Sequence, residues 1–332
     1  MGFVKNILYH LSHRNLLEIL TKQPIFGYYH IVSDKKVVHV ENLYSYKNNF
    51  QFSNDINFLL KQYKPLNPAD LFKNVIFENH FLLSFDDGLS EIYTDIFPIL
   101  KQNNLKTVFF INPDFIETNQ LFYKNSISII LNHLKEIKFD KSTIDEICAI
   151  LLIKFVSVKD FKIKLLSIKN SDKELVFDIL KILKIDIDEY VKDKKPYITK
   201  SQIQEMIDDG QFFGGHTMSH KRMQELTFAE QKSEIIDSIN WLKLNFNINY
   251  SLFSFPFSDK NISKKLIDSL FEYDKNIRIF GNSGLKKDFD SRIIQRFSLD
   301  NPTKNIEKQL VSENLYKYFN KLIGKYNIIR ND

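Results

Sequence analysis

His80-Phe81-Leu82-Leu83-Ser84-Phe85-Asp86-Asp87-Gly88 is an apolar run that halts at two carboxylates and a glycine. Leu89 to Gln102 then carries a helical pattern, and Lys106 to Ile111 (KTVFFI) reads as a buried strand. Strand, turn, helix, strand is the repeating unit of a parallel sheet or barrel. In such folds the chemistry collects at the C-terminal ends of strands, where Asp86 and Asp87 fall. Working outward, Ile25 to Val32 reads as a strand and Ser53 to Tyr63 as a helix capped by Ser53 or Asn54.

The alternation returns near residue 200. Ser201-x-x-Gln204 has the form of a capping box for a helix ending at Gly210, and Thr227-x-x-Glu230 is another. The second opens a helix whose apolar stripe is Phe228, Ile235, Ile239, Leu242 and Phe246. Strand-like runs follow at Tyr250 to Phe255, Ile277 to Phe280 and Ile293 to Leu299, and Asn301-Pro302 starts a last helix through about residue 323. Between the two βα stretches, Glu117 to Thr199 has helical spacing, almost no strand signal and no glycine. The expected organisation is an N-terminal helix (1–24), a barrel (25–116 and 200–325) and a helical insertion within it (117–199), serving as a lid or an interaction surface.

Composition excludes several classes. Of 332 residues, 43% are hydrophobic and 26% charged, ordinary for a globular chain large enough to bury a core. No stretch approaches the ~20 apolar residues that span a bilayer. Cys148 alone allows no internal disulfide and no multi-cysteine zinc cluster. The net charge of +5 is spread through the chain without a Lys/Arg block, so nucleic acid is not an expected partner.

Met1 to Thr21 interleaves Phe3, Ile7, Leu8, Leu11, Leu16, Leu17 and Leu20 with Lys5, His10, His13, Arg14 and Glu18. It lacks the continuous apolar core and cleavage site of a signal peptide. A helix packed on the body of the fold is favoured over a basic amphipathic helix resting on a membrane surface. The expected location is the cytoplasm, including the inner membrane face, where peripheral membrane association would place the protein.

Two motifs carry chemistry. In Ser84-Phe85-Asp86-Asp87-Gly88 the adjacent carboxylates point in different directions, so one can bind a metal while the other handles a proton. Asp208-Asp209-Gly210 repeats the three letters after a helical pattern and reads as a helix C-cap. His216-Thr217-Met218-Ser219-His220 places two histidines four apart, able to face one metal from a turn of helix. With a strand-end aspartate they make three protein ligands and leave positions open, as a catalytic metal requires. His10, His13, His39, His80 and His133 lack partners at ligand spacing and read as structural. Cys148 reads as a core residue and Trp241 as packing.

Together these residues resemble the polysaccharide deacetylase family, metal-dependent carbohydrate esterases that include the NodB-type chitooligosaccharide deacetylases. The first motif of the family, [ST]-F-D-D-G, matches Ser84 to Gly88, and its second, H-[ST]-x-x-H, matches His216 to His220. Ser254-Phe255-Pro256-Phe257-Ser258 looks like the third, F-x-Y-P-[YF]-G, with Phe255 for Tyr and Ser258 for Gly, and the Arg of its R-x-P form is missing. The resemblance covers roughly Ile25 to Asn112 and Gln202 to Asn301 and implies a distorted (β/α) barrel of the NodB type.

The resemblance further implies that Asp87, His216 and His220 bind a divalent metal, zinc by preference, and that Asp86 is the general base. The backbone N–H of Phe257, after the motif proline, would help stabilise the oxyanion. Many members use a C-terminal Leu-x-His as general acid, but no histidine follows His220 here. Tyr28-Tyr29-His30-Ile31-Val32 looks like the Y-H-x-[VI] motif of the exported poly-N-acetylglucosamine deacetylases, which carries the acid role to His30. Arg296 and Asp300 end a late strand and could orient His30 or Asp86, or form a surface ion pair. The implied reaction is hydrolysis of an N-acetyl group from an amino sugar in a glycan or glycan precursor. An O-acetyl ester or a formamide would suit the same site. A sugar-binding pseudoenzyme, or a protein-interaction module centred on the insertion, is the rival class.

Overall fold

The computed structural model describes residues 2–13, 16, 23–73 and 77–332. Arg14, Leu17, Glu18 and Leu20 of the N-terminal pattern lie outside the described residues. The chain divides into two compact units, one of Met1–Asp34, Tyr46–Pro113 and Ile198–Asp332, the other of Lys35–Ser45 and Asp114–Tyr197.

The larger unit is a parallel barrel. Its strands are β1 (Ile25–Tyr29), β2 (Lys64–Pro65), β3 (His80–Phe85), β4 (Val108–Ile111), β5 (Phe212–Gly215), β6 (Leu252–Ser254), β7 (Arg278–Gly281), β8 (Ile293–Gln295) and β9 (Phe297–Ser298). They run in the order β8-β7-β6-β5-β4-β3-β1-β9, every pairing parallel, with β2 added on β3. The two ends of that path, β8 and β9, are separated in sequence by Arg296 alone. One short segment therefore pairs with β7 in its first half and with β1 in its second, and this nearly closes the barrel.

Burial on both faces explains the apolar runs of β3 and β4. Tyr29, Phe85, Phe109 and Phe213 sit in register on four neighbouring strands, their rings stacked 5.0–5.9 Å apart. This ladder faces outward, for Tyr29 also meets Phe52 and donates to Asp55, both on the helix Asn49–Gln62. Alternation sends Leu82, Val108, Phe110, Leu252, Phe280 and Ile294 to the opposite, inner face, where they form one cluster.

Several boundaries differ from the sequence pattern. The first helix after β1 is Asn49–Gln62, capped by Asn48 in a box with Gln51 and not by Ser53 or Asn54, because that register buries Phe52, Ile56 and Leu59. The helix expected from Leu89 is regular only over Phe97–Gln102, after a widened turn at Ile92–Ile96. Thr199 and Gln202, not Ser201 and Gln204, cap Lys200–Asp208, since Ile203 and Met206 must face inward. Gly210 follows it at φ +90°, and Asp209 pairs with Lys106, so the second Asp-Asp-Gly is structural. The Thr227–Glu230 box is present and opens Phe228–Phe246, although Phe228 itself is exposed. The last helix is Ile306–Leu322, capped by Asn305, while Asn301 closes a tight turn on Thr303. The helix Gly2–Leu11 packs along it: Lys5 pairs with Glu313 at 2.8 Å, and Tyr9 Oη accepts the Asn305 N–H. No described helix is long and apolar enough to cross a membrane.

The smaller unit is helical: Tyr123–Glu136, Lys141–Ile150, Val158–Ser167, Glu174–Ile182 and Ile187–Lys194. Ile127, Ile130, Leu134, Ile147, Phe161, Leu165, Val176 and Ile179 make its core, with Cys148 among them. Residues 35–45 join this unit, a segment whose pattern gave no reason to part it from the barrel. They are tied in by Asn125 to the His39 carbonyl and by Ser128 to the Val38 carbonyl. His39 is buried there against Tyr190, and burial lowers its pKa to about 4, which keeps it neutral.

Candidate active site

Asp86 and Asp87 emerge from β3 as the chain turns sharply. Asp87 has φ +77° and Gly88 φ +69°. An aspartate held in the left-handed region costs on the order of 1 kcal/mol or more and marks a functional constraint. The Asp86 N–H donates to the Tyr29 carbonyl, extending the β1–β3 pairing past the strand end.

His216 follows β5, and its N–H donates to the Ile111 carbonyl. Its Nδ1–H donates to the Ser254 carbonyl at 2.8 Å, which leaves the Nε2 lone pair for a ligand. The expected helical turn from His216 to His220 is absent. Thr217 and His220 have φ +65° and +54°, and the segment is a loop. Asn112, at the end of β4, donates to the His216 and Thr217 carbonyls, and Glu234 of the helix Phe228–Phe246 accepts from Ser219 N–H and Oγ–H.

This loop still brings both imidazoles to Asp87. His220 Nε2 stands 3.1 Å and His216 Nε2 3.5 Å from Asp87 Oδ1. One ligand atom from each of the three residues lies within 4.8 Å of the others. Asp87 Oδ1 is buried and receives no hydrogen bond. Burial would push the Asp87 carboxyl up, but the two histidines hold it well below the usual carboxylate range. Burial pulls His220 down, and Asp87 opposes it. A buried, unsatisfied carboxylate oxygen facing two imidazole nitrogens is the donor set of a divalent cation.

Asp86 points elsewhere. Arg296 grips it with Nη1 to Oδ1 at 2.8 Å and Nη2 to Oδ2 at 2.9 Å, and also donates to Ser84 Oγ at 2.7 Å and Ser254 Oγ at 2.5 Å. The pair is buried, Arg296 at 1% exposure, so it is no surface ion pair. Its guanidinium lies over Tyr28 at 4.6 Å and near Phe110 and Phe280 inside the barrel. Burial favours a protonated Asp86, but Arg296 outweighs it and holds the carboxyl below its ordinary value.

Asp300 lies on His30. Its Oδ1 accepts the His30 N–H at 2.8 Å and its Oδ2 faces His30 Nδ1 at 2.9 Å, with Ser298 Oγ–H also on Oδ2. Burial opposes a charge on His30, but Asp300 more than offsets it and pushes the pKa up to about 10. Phe257, after β6, has φ +57°, and its carbonyl accepts from Asn282 Nδ2 at 2.7 Å. Its ring packs on His220 at 4.7 Å and beneath the Arg222 guanidinium at 4.2 Å. Glu234 and Asn282 are absent from the sequence reading, and Asn112 and Tyr28 enter it only as a boundary and a motif neighbour with no role. Asn112 alone left a signal, as the polar residue ending a buried strand.

A family model described as polysaccharide deacetylase matches residues 77–144 and 168–274. The structure is similar to a deacetylase, PplD, of Streptococcus pyogenes, solved in complex with acetate, at 15% identity and TM-score 0.55 over 88% of this chain and 98% of that one. It is similar to IcaB from Ammonifex degensii at 14% identity and TM-score 0.53, covering 88% and 97%. A de-N-acetylase from Aggregatibacter actinomycetemcomitans matches at 16% identity and TM-score 0.52, covering 87% and 99%. At these identities the likeness shows the fold. No curated protein sequence matches the chain significantly.

Proposed function

The chain belongs to the polysaccharide deacetylase family, hydrolases of acetylated carbohydrates, and on that premise we propose that it removes the N-acetyl group of an amino sugar in a glycan or glycan precursor. The observation that carries this reading is the convergence of Asp87, His216 and His220, flanked by a carboxylate kept ionised and an imidazole kept protonated. Asp87 Oδ1 and the two Nε2 atoms would hold a divalent metal, zinc by the nitrogen-rich donor set. When bound, that metal supplies a Lewis acid for the acyl oxygen and lowers the pKa of water.

The protein's own groups supply the rest. Asp86 takes the proton of the attacking water, and the Arg296 guanidinium keeps it ionised for that task. The Phe257 N–H donates to the oxygen that gains charge as the carbonyl becomes tetrahedral. His30, its Nδ1 engaged by Asp300 and its imidazolium favoured by that carboxylate, gives a proton to the amine as its bond to the acyl carbon breaks. Acetate and a free amine result. Arg296, from the closing strand, gives Asp86 an arginine partner although the third motif here carries none. That weakens one ground for a binding-only protein.

The test is metal content by mass spectrometry beside acetate release from N-acetylated and O-acetylated oligosaccharides. The expected result is about one metal per chain, lost in Asp87→Ala together with acetate release from the N-acetylated substrate. Metal with release only from the ester would replace the amide reading, and no metal after reconstitution would refute the enzymatic one.

A further inference from the structure

A second buried charge cluster, outside the chemistry above, centres on Arg330. Nη2 donates to Asp259 Oδ2 at 2.8 Å and Asp288 Oδ2 at 2.6 Å, Nε to Asp288 Oδ1 at 3.0 Å, and Nη1 to the Asp259 carbonyl at 2.9 Å. Gln295 Nε2 joins the two carboxylates at 2.7 and 2.9 Å. The three charged side chains are at most 2% exposed. An arginine so deeply desolvated persists only where its geometry is well satisfied.

The cluster reaches two parts of the active site. Asp259 lies two residues after Phe257, and its Oδ1 accepts from Ser283 Oγ–H at 3.0 Å and Asn282 N–H at 3.3 Å. Asn282 in turn holds the Phe257 carbonyl. Gln295 immediately precedes Arg296, and its Oε1 accepts the Ser283 N–H at 2.8 Å. Gln295 and Asp259 press on Gly281, where an added Cβ would strike both, and the Gly281 carbonyl accepts the Arg296 N–H at 3.1 Å. A phenylalanine at positive φ does not keep that conformation unaided. A cluster bonded on both sides of it can hold it there.

We propose that Arg330 is a positioning residue of the active site: through Asp259, Asp288 and Gln295 it fixes the backbone of Phe257 and the placement of Arg296. The inference rests on the roles given to those two residues above. Two variants test it on metal-loaded protein. Arg330→Lys keeps the buried charge but loses the fork. Asn282→Ala cuts the link to Phe257 and an Asp259 N–H bond to Asn282 Oδ1 at 3.4 Å, and leaves every contact of Arg330 in place.

Hydrogen exchange of residues 255–260 is read beside kcat, KM and metal content. Expected are faster exchange in that loop with exchange around Asp87 unchanged, full metal content, and kcat lower by about 10–100-fold at nearly constant KM. Unchanged loop exchange in Arg330→Lys would overturn the clamp, whatever Asn282→Ala shows. A loosened loop with unchanged kcat would overturn its catalytic purpose. If the wild type releases no acetate from any substrate, the exchange result still decides whether Arg330 holds the loop, and the reading that falls is the deacetylase one.

Discussion

Replacing Asp300 by asparagine isolates what keeps a proton on His30. The carboxylate faces Nδ1 at 2.9 Å with one-tenth of its side chain exposed, so water screens it poorly. The change is isosteric, and an amide oxygen can still accept the His30 N–H that Oδ1 takes at 2.8 Å. Geometry is kept and charge removed. His30 now titrates at about 10, burial working against the charge and Asp300 outweighing it. Without Asp300 burial dominates, and the imidazole returns to about 6.5 or below. At pH 8.5 the protonated fraction then drops from nearly complete to about 1%, so a step that needs this proton slows about a hundredfold. At pH 6 about three-quarters stays protonated and the loss is less than twofold. The assay is kcat/KM for acetate release across the alkaline range on metal-replete protein. An alkaline limb that stays in place, or a loss equal at every pH, would refute the reasoning. Stability carries the same signature. A raised folded-state pKa contributes fully below about pH 6.5, and that contribution is lost as pH rises through about 10. The wild-type Tm therefore declines across that window, and Asp300→Asn flattens the decline.

Arg296→Met strands a buried carboxylate and is expected to cost about 3–5 kcal/mol in urea unfolding, while Arg296→Lys folds but loses at least tenfold in kcat because a point charge cannot span both oxygens; equal kcat for Lys and Arg would show that the fork is not needed. Gly215→Ala would set its Cβ on the Ser238 hydroxyl and lower stability by about 1–3 kcal/mol. Adding Ser238→Gly should recover most of that loss in the same unfolding measurement, and an additive double variant would place the strain elsewhere.

The barrel was legible where local pattern and burial agree. β3 is mostly and β4 wholly apolar because both their faces are covered, and the Thr227–Glu230 box stands where only one hydroxyl precedes the helix by the right step. At residues 199–204 two hydroxyl–glutamine pairs compete, and only the burial of Ile203 and Met206 chooses between them. His216 and His220 show the limit differently. Their spacing suits a helix, yet the chain reaches the same convergence through two left-handed residues. Arg296 and Asp300 could be named as partners from their place on a late strand, but across 210 and 270 positions the pattern does not say which holds Asp86 and which His30. The Arg330 cluster left no signal, because each member alone is an ordinary surface letter.

Those separations bear on how the protein is made. The strand holding Arg296 pairs with β7 on one side and β1 on the other, so the seam is sewn by the last-made of the described barrel strands. At roughly 5–20 residues per second, Asp86 waits on the order of ten seconds or more for the arginine 210 positions downstream. Until then a nascent chain exposes β1 as an open edge, with its acidic and imidazole groups bare. The half-made protein is thus inert as a hydrolase and vulnerable as a sheet, and both conditions end with the arrival of one segment.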